Sequence, residues 1–183
     1  MGSGGTYEDE TDFCSTWFFF AFLAACEGAP ASTKSLHVDV GAVVERNSVT
    51  PVDGITSAGQ PDQATLAVFG DNGYVAIIDI RGEKENRGMD EKAVVEALGM
   101  DYVLLPIASE DDISFENAKK LDELLAAYDG PVLIHCGSGN RVGALLALRQ
   151  SMNGADDAAA IAYGKQGGLT GLEPVVQQRL GEK

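Results

Sequence analysis

Three largely apolar runs, at residues 74–80, 102–107 and 132–134, divide the middle of the chain. Continuous runs of this length are typical of parallel strands that are buried on both faces of a sheet. Between them, apolar residues recur at helical spacing within residues 89–98 and 114–128. This alternation predicts an α/β domain of three layers, in which a mostly parallel central sheet has helices on both faces.

The rest of the pattern adds further elements. Residues 36–46 fit a strand or a short helix, and residues 49–57 fit two short strands about a turn. Pro61 suits the first turn of a helix, and Ser114 suits the N-cap of another. Three more helices are predicted at residues 142–148, 155–165 and 170–180.

Residues 1–35 differ in composition from residues 36–183, which we interpret as the folded domain. The nine apolar residues 17–25 are too few to span a bilayer as a helix, which needs about 20 residues. They suit the core of a secretory signal, and Leu-Ala-Ala-Cys ending at Cys26 has the form of a lipoprotein signal. Ala-Pro-Ala at residues 29–31 suits ordinary cleavage instead. We therefore expect a bacterial periplasmic protein or a membrane-anchored lipoprotein that carries its lipid on Cys26.

The start of the chain is acidic and lacks Lys and Arg, whereas a signal peptide needs positive charge there. A flexible cytoplasmic extension is the alternative interpretation. Cys14 and Cys26 both lie in this leader, so Cys136 is the single cysteine of the domain and cannot form an internal disulfide. The net charge of −15 disfavours nucleic acid as a partner, and any anion must be bound by local groups.

The segment His-Cys-Gly-Ser-Gly-Asn-Arg, residues 135–141, links a predicted strand to a predicted helix. Small residues allow successive backbone N–H groups to point inward, and a helix N-terminus adds partial positive charge, so this loop suits an anion. The same field favours the thiolate form of Cys136, which makes it a candidate nucleophile. Arg141 offers a planar fork of donors for phosphate or another oxyanion.

This segment resembles the catalytic loop of the cysteine-dependent protein tyrosine and dual-specificity phosphatases. It is most similar to their bacterial branch of beta-lactamase hydrolase-like, or phosphatase-like, proteins. Residues 56–61, 76–81 and 101–107 also fit that branch, and the similarity covers about residues 40–180. Two features depart from the widespread phosphatase pattern. Four residues separate Cys136 from Arg141 where five are usual, and Val142 stands where Ser or Thr is usual.

The resemblance implies hydrolysis of a phosphate monoester, of a class that the sequence leaves open, through a cysteinyl-phosphate intermediate on Cys136. It also implies that His135 braces the loop, and that an acid preceding the next helix protonates the leaving group. Asp111 and Asp112 are the candidates for this acid, with Glu110 third. The phosphate-binding residues that it implies are Gly137, Ser138, Gly139, Asn140 and Arg141.

Two alternatives remain open. A rhodanese-like sulfurtransferase would carry a persulfide on Cys136 in a loop of this length, although the Gly-His-Ile segment usual in that family is missing. A non-catalytic, oxyanion-binding pseudophosphatase is also compatible with Val142. Asp79 and Arg81 are interpreted as a structural ion pair, and His37 as a surface or edge residue. Two His and scattered Cys form no metal-ligand spacing, so we expect neither a metal nor another cofactor. The oligomeric state is left open.

Overall fold

The computed structural model describes Met1 and residues 35–183. The predictions made for the leader, including Cys14, Cys26 and the cleavage sites, lie outside the described residues. Within the described part of the chain, no helix is long and apolar enough to cross a membrane.

Within residues 35–183, five parallel strands form one sheet in the order β1-β2-β5-β3-β4. The central strand β5 ends at His135, so the residues that follow it emerge in the middle of the carboxyl edge, where open α/β sheets place their ligands. The strands are β1 (His37–Val38), β2 (Ile55–Ala58), β3 (Ala76–Arg81), β4 (Asp101–Ile107) and β5 (Val132–His135).

Seven α-helices accompany the sheet in the described residues. Four of them begin after an aspartate whose side chain accepts a backbone N–H of the first turn, and α4 begins after Ser114 in the same way. The helices are α1 (Val40–Arg46), α2 (Gln63–Asp71), α3 (Glu91–Ala97), α4 (Phe115–Ala126), α5 (Asn140–Met152), α6 (Asp157–Gln166) and α7 (Glu173–Gly181).

Two buried clusters, one on each face of the sheet, confirm the predicted three layers. Consecutive strand residues point to opposite faces, as Ile77 and Ile78 do in β3. Ile77 packs with side chains of α1, α2 and α3, whereas Ile78 packs with side chains of α4, α5 and α7. Helix α6 lies against α5, where a side chain on Gly143 would come within 2.5 Å of the Gly164 carbonyl oxygen.

Some predicted elements differ from the structure. Strand β4 is an edge strand rather than a fully buried one, and its Leu104 is 38% exposed. Residues 36–46 contain both a strand and a helix. Residues 49–57 contain one strand and a single bridge between Val52 and Ile55. Helix α2 starts two residues after Pro61 because Asp62 is its cap. Pro174 lies in the first turn of α7, as predicted.

Candidate active site

Residues 136–141, called the phosphate loop below, join β5 directly to the N-terminus of α5. Cys136 is 2% exposed, and its Sγ accepts a hydrogen bond of 3.1 Å from the backbone N–H of Gly139. Gly139 is the N-cap of α5 and has a φ of 86°, a left-handed conformation that favours glycine. Since the first N–H groups of a helix lack intrahelical acceptors, the thiol lies beside donors suited to an anion.

The segment after β2 holds this loop from one side. The N–H of Cys136 donates to the Ala58 carbonyl oxygen at 3.4 Å, and the N–H of Gln60 donates to that of Gly137 at 3.3 Å. A side chain on Gly59 would come within 3.3 Å of the same Gly137 oxygen. The stretch that fitted the phosphatase branch at residues 56–61 therefore contacts the loop directly.

Arg141 is held by a glutamate that the sequence analysis did not single out. Its Nη1 and Nη2 donate to the two carboxylate oxygens of Glu85 at 2.5 and 2.8 Å, and Nη1 also donates to the Ile107 carbonyl oxygen at 2.8 Å. Nη2 lies 3.7 Å from the position a Cβ would take on Gly137, so it faces the loop. The Nε edge has no carboxylate or carbonyl partner among residues 35–183, which leaves a second pair of donors for an oxyanion.

Glu85 and Arg141 each stabilise the charged form of the other side chain. The hydrogen bond from Arg141 lowers the pKa of Glu85 to about 2. The hydrogen bond to Glu85 and the nearby Cys136 sulfur together keep the pKa of Arg141 above its ordinary value. The sequence analysis missed Glu85, although an acid just after a strand end at the ligand-binding edge was a usable signal.

A buried network of charges lies behind the phosphate loop. Arg81 donates to both oxygens of Asp79 at 2.9 and 3.0 Å, which confirms the predicted ion pair, and it also contacts Glu91. Arg87 donates to Asp79 at 2.7 Å, and the Arg87 carbonyl oxygen accepts from Gln60 at 2.5 Å. Burial raises the pKa of Asp79, but the hydrogen bonds from Arg81 and the charge of His135 outweigh it and lower the pKa to about 2.

His135 contacts this network rather than the loop. Its Nε2 lies 2.6 Å from a carboxylate oxygen of Glu91, and its ring donates no hydrogen bond to the loop among the described residues. Glu91 was missed because an acid in the first turn of a helix usually lies at the surface and serves the helix dipole, whereas here it is buried. Ligand-type atoms of Asp79, Glu91 and His135 lie within 4.8 Å of one another, yet Arg81 already binds both carboxylates and compensates their charge.

The two candidate acids occupy different surroundings between β4 and α4. Asp112 accepts hydrogen bonds from the N–H groups of Ser109 and Ala108 at 2.8 and 2.9 Å, which lower its pKa. It lines an open cavity of about 600 Å³ together with Glu85. Asp111 is 98% exposed in its side chain and lies 3.7 Å from Arg179 of α7. Glu110 begins the short 3₁₀ turn that contains both aspartates.

One member of the predicted phosphate-binding set, Asn140, uses its side chain outside the loop. The Asn140 amide oxygen accepts hydrogen bonds from the N–H groups of Thr170 and Leu172 at 2.8 and 3.3 Å. Its side chain therefore holds residues 167–172, called the α6–α7 turn below. Val142 is buried in the core. Gly137 and Ser138 are exposed at the rim of the loop, where their backbone groups are accessible.

The family model described as "Beta-lactamase hydrolase-like protein, phosphatase-like domain" matches residues 47–153. A beta-lactamase hydrolase-like protein of Agrobacterium fabrum is 32% identical over 104 residues, which cover 55% of this chain and 24% of that relative. One of Xylella fastidiosa is 33% identical over 101 residues, or 53% of this chain and 23% of that relative. The matched part thus spans about a quarter of each relative's length.

The fold is also similar to solved structures of candidate phosphatases. One from Neisseria meningitidis superimposes with a TM-score of 0.60 at 21% identity, over 69% of this chain and 92% of that chain. One from Shewanella putrefaciens gives a TM-score of 0.52 at 22% identity, over 69% and 81%. At these identities the likeness concerns the fold.

Proposed function

Because the chain belongs to the family of phosphatase-like domains of beta-lactamase hydrolase-like proteins, we propose that it hydrolyses phosphate monoesters through a cysteinyl-phosphate intermediate. One observation carries this proposal. The Cys136 sulfur lies at the N-terminus of α5 within 3.1 Å of a backbone donor. Arg141, held by Glu85, lies beside the loop, and its Nε donates to no carboxylate or carbonyl in residues 35–183. The nucleophile and the oxyanion donors are therefore adjacent in the structure.

In the first step, the Cys136 thiolate attacks phosphorus, the S–P bond forms and the bond to the leaving oxygen breaks. Negative charge is then spread over three equatorial oxygens. The backbone N–H groups of residues 137–141 and the Nε edge of Arg141 are the donors nearest to that charge. Glu85 fixes the other edge of the guanidinium, so little reorganisation is needed during the reaction.

In the second step, water attacks phosphorus and gives a proton to the carboxylate that acted as general acid in the first step. The S–P bond breaks, and inorganic phosphate and the thiolate are released. The departing oxygen of the first step must gain a proton, and Asp111 and Asp112 are the proposed donors. Asp112 is the better placed of the two, since it shares a cavity with Glu85. The hydrogen bonds that lower its pKa oppose proton donation, so substrates with good leaving groups, such as aryl phosphates, should react fastest.

A parallel assay of the full chain tests the proposal. With p-nitrophenyl phosphate, the wild type should release phosphate, and Cys136→Ser should not, while still binding orthovanadate. With thiosulfate, the wild type should leave Cys136 unmodified. A persulfide on Cys136 without phosphatase activity would establish the sulfurtransferase alternative. Oxyanion binding with neither reaction would establish the pseudophosphatase.

A further inference from the structure

The imidazole of His37 packs against the outer side of the phosphate loop. His37 lies on the edge strand β1, opposite Ser57 of β2, and is half-buried. A Cβ on Gly139 would come within 2.7 Å of its Nδ1, and a Cβ on Gly168 within 2.9 Å of the same atom. The ring therefore fills the space between the loop and the α6–α7 turn, and the expectation of a surface or edge role for His37 was incomplete.

Hydrogen bonds fix the ring in this place. His37 Nδ1 lies 3.2 Å from Ser57 Oγ, and that hydroxyl donates its own hydrogen to the Gly167 carbonyl oxygen at 2.7 Å. Since a serine has one hydrogen to donate, Nδ1 must carry the proton and donate to Ser57. Ser57 is fully buried, so this arrangement is shielded from water.

The ring of His37 packs against Gly139, the residue whose N–H donates to the Cys136 sulfur. Gly139 must keep its left-handed φ for its N–H to reach Cys136 Sγ, and no side chain caps the helix at this point. The ring and the α6–α7 turn close the space into which Gly139 would otherwise move. Asn140 ties that turn to the loop a second time.

We propose that His37 is a positioning residue, which holds Gly139 so that its N–H points at the Cys136 sulfur and at the oxyanion bound there. This inference rests on the proposed phosphatase function. His37 and residues 167–168 lie outside the segment matched by the family model, so the site is completed by flanking parts of this chain.

The test compares His37→Ala with Val43→Ala in the full chain. Val43 is buried in α1 on the other face of the sheet, so its truncation affects stability without touching the loop. We expect His37→Ala to lower kcat for p-nitrophenyl phosphate by up to about 10²-fold, the loss that a misplacement of about 1 Å can cause, with a smaller change in KM. Its affinity for orthovanadate should fall, and added imidazole, which fits the vacated space, should restore part of both. Val43→Ala should keep wild-type kcat and affinity.

If His37→Ala keeps the wild-type kcat and orthovanadate affinity, the inference is overturned, while the phosphatase function remains intact. An equal loss in Val43→Ala would also overturn it, because the effect would then come from general destabilisation. If the wild type itself turns over no phosphate ester, the proposed function fails, and orthovanadate affinity with imidazole rescue decides the role of His37 alone.

Discussion

Arg141 has two hydrogen-bonding edges, and they face different partners. The edge formed by Nη1 and Nη2 is bound by Glu85, while Nη2 also lies beside Gly137 of the phosphate loop and Nε donates to no carboxylate or carbonyl in residues 35–183. A planar fork can serve both sides at once, whereas the single ammonium of a lysine cannot. At the residue scale, the identity of this side chain matters more than its charge.

Arg141→Lys should therefore lower turnover of p-nitrophenyl phosphate by about 10²–10³, equivalent to about 2.7–4 kcal/mol of transition-state stabilisation. Arg149→Lys is the matched control, since Arg149 lies on the same helix and its ion pair with Asp122 is remote from the phosphate loop. Steady-state kinetics of both variants measure the difference. Equal turnover in the two variants would show that charge alone suffices at Arg141.

Glu85→Gln keeps the shape of the side chain but removes the charge that holds Arg141. The native pKa of Glu85 is about 2, against 4.5 for the free side chain. Because the folded state depresses this pKa, the stabilisation is complete above 4.5 and is lost as pH falls toward 2. Chemical unfolding should find Glu85→Gln less stable than the wild type at pH 7, with the difference shrinking through that window.

Glu83→Gln, on the same loop, is the control for this pH series. It should show no such window, since no ion pair of Glu83 is found in the described part of the chain. A stability difference between Glu85→Gln and the wild type that persists unchanged down to pH 2 would contradict the role given to the ion pair.

The site residues that could be predicted from the sequence are those that lie close together along the chain. Cys136 and Arg141 stand in one short segment, and their residue types already imply an anion site. Glu85, Glu91 and His37 are separated from it by many residues along the chain. They come close to this segment only because β3, α3 and β1 converge at the same sheet edge. A local sequence pattern cannot show such a convergence.

At the scale of elements, the 3₁₀ turn between β4 and α4 presents Asp111 and Asp112 to opposite sides. Asp112 caps its own turn and lines the cavity beside Glu85, while Asp111 faces Arg179 of α7. The sequence correctly placed Ser114 as the cap of the following helix, but residue type alone could not separate two adjacent aspartates.

Asp112→Asn and Asp111→Asn form a matched pair for the proton donor. Loss of a general acid costs most when the leaving group is poor, so the acid variant should slow an alkyl phosphate more than p-nitrophenyl phosphate. We expect this pattern for Asp112→Asn and unchanged kinetics for Asp111→Asn. If both variants slow the two substrates equally, neither aspartate donates the proton.

For the molecule as a whole, the predicted order of strands and helices gave the fold class, because buried parallel strands have a recognisable apolar pattern. The edge position of β4 could not be predicted in this way, since an edge strand in an α/β sheet can be nearly as apolar as a central one. The joining of residues 167–172 to the phosphate loop depends on the glycine contact between α5 and α6, which is a tertiary feature.

We propose that the protein is exported and that Cys26 carries a lipid, on the basis of Leu-Ala-Ala-Cys after an apolar run. Mass spectrometry of the full chain expressed in a bacterium should find an acylated N-terminal Cys26. Cleavage after Ala31 would indicate export without an anchor, and an intact cytoplasmic chain would contradict export.

If phosphate passes through Cys136, a covalent intermediate must form on its sulfur, and this species can be trapped. Wild-type protein mixed with p-nitrophenyl phosphate should be quenched in acid within a single turnover, digested and analysed by mass spectrometry. We expect a phosphate group on the peptide that contains Cys136, and no such group when Cys136 is replaced by Ser. Phosphate release at the same rate with no phosphate on that peptide would contradict it.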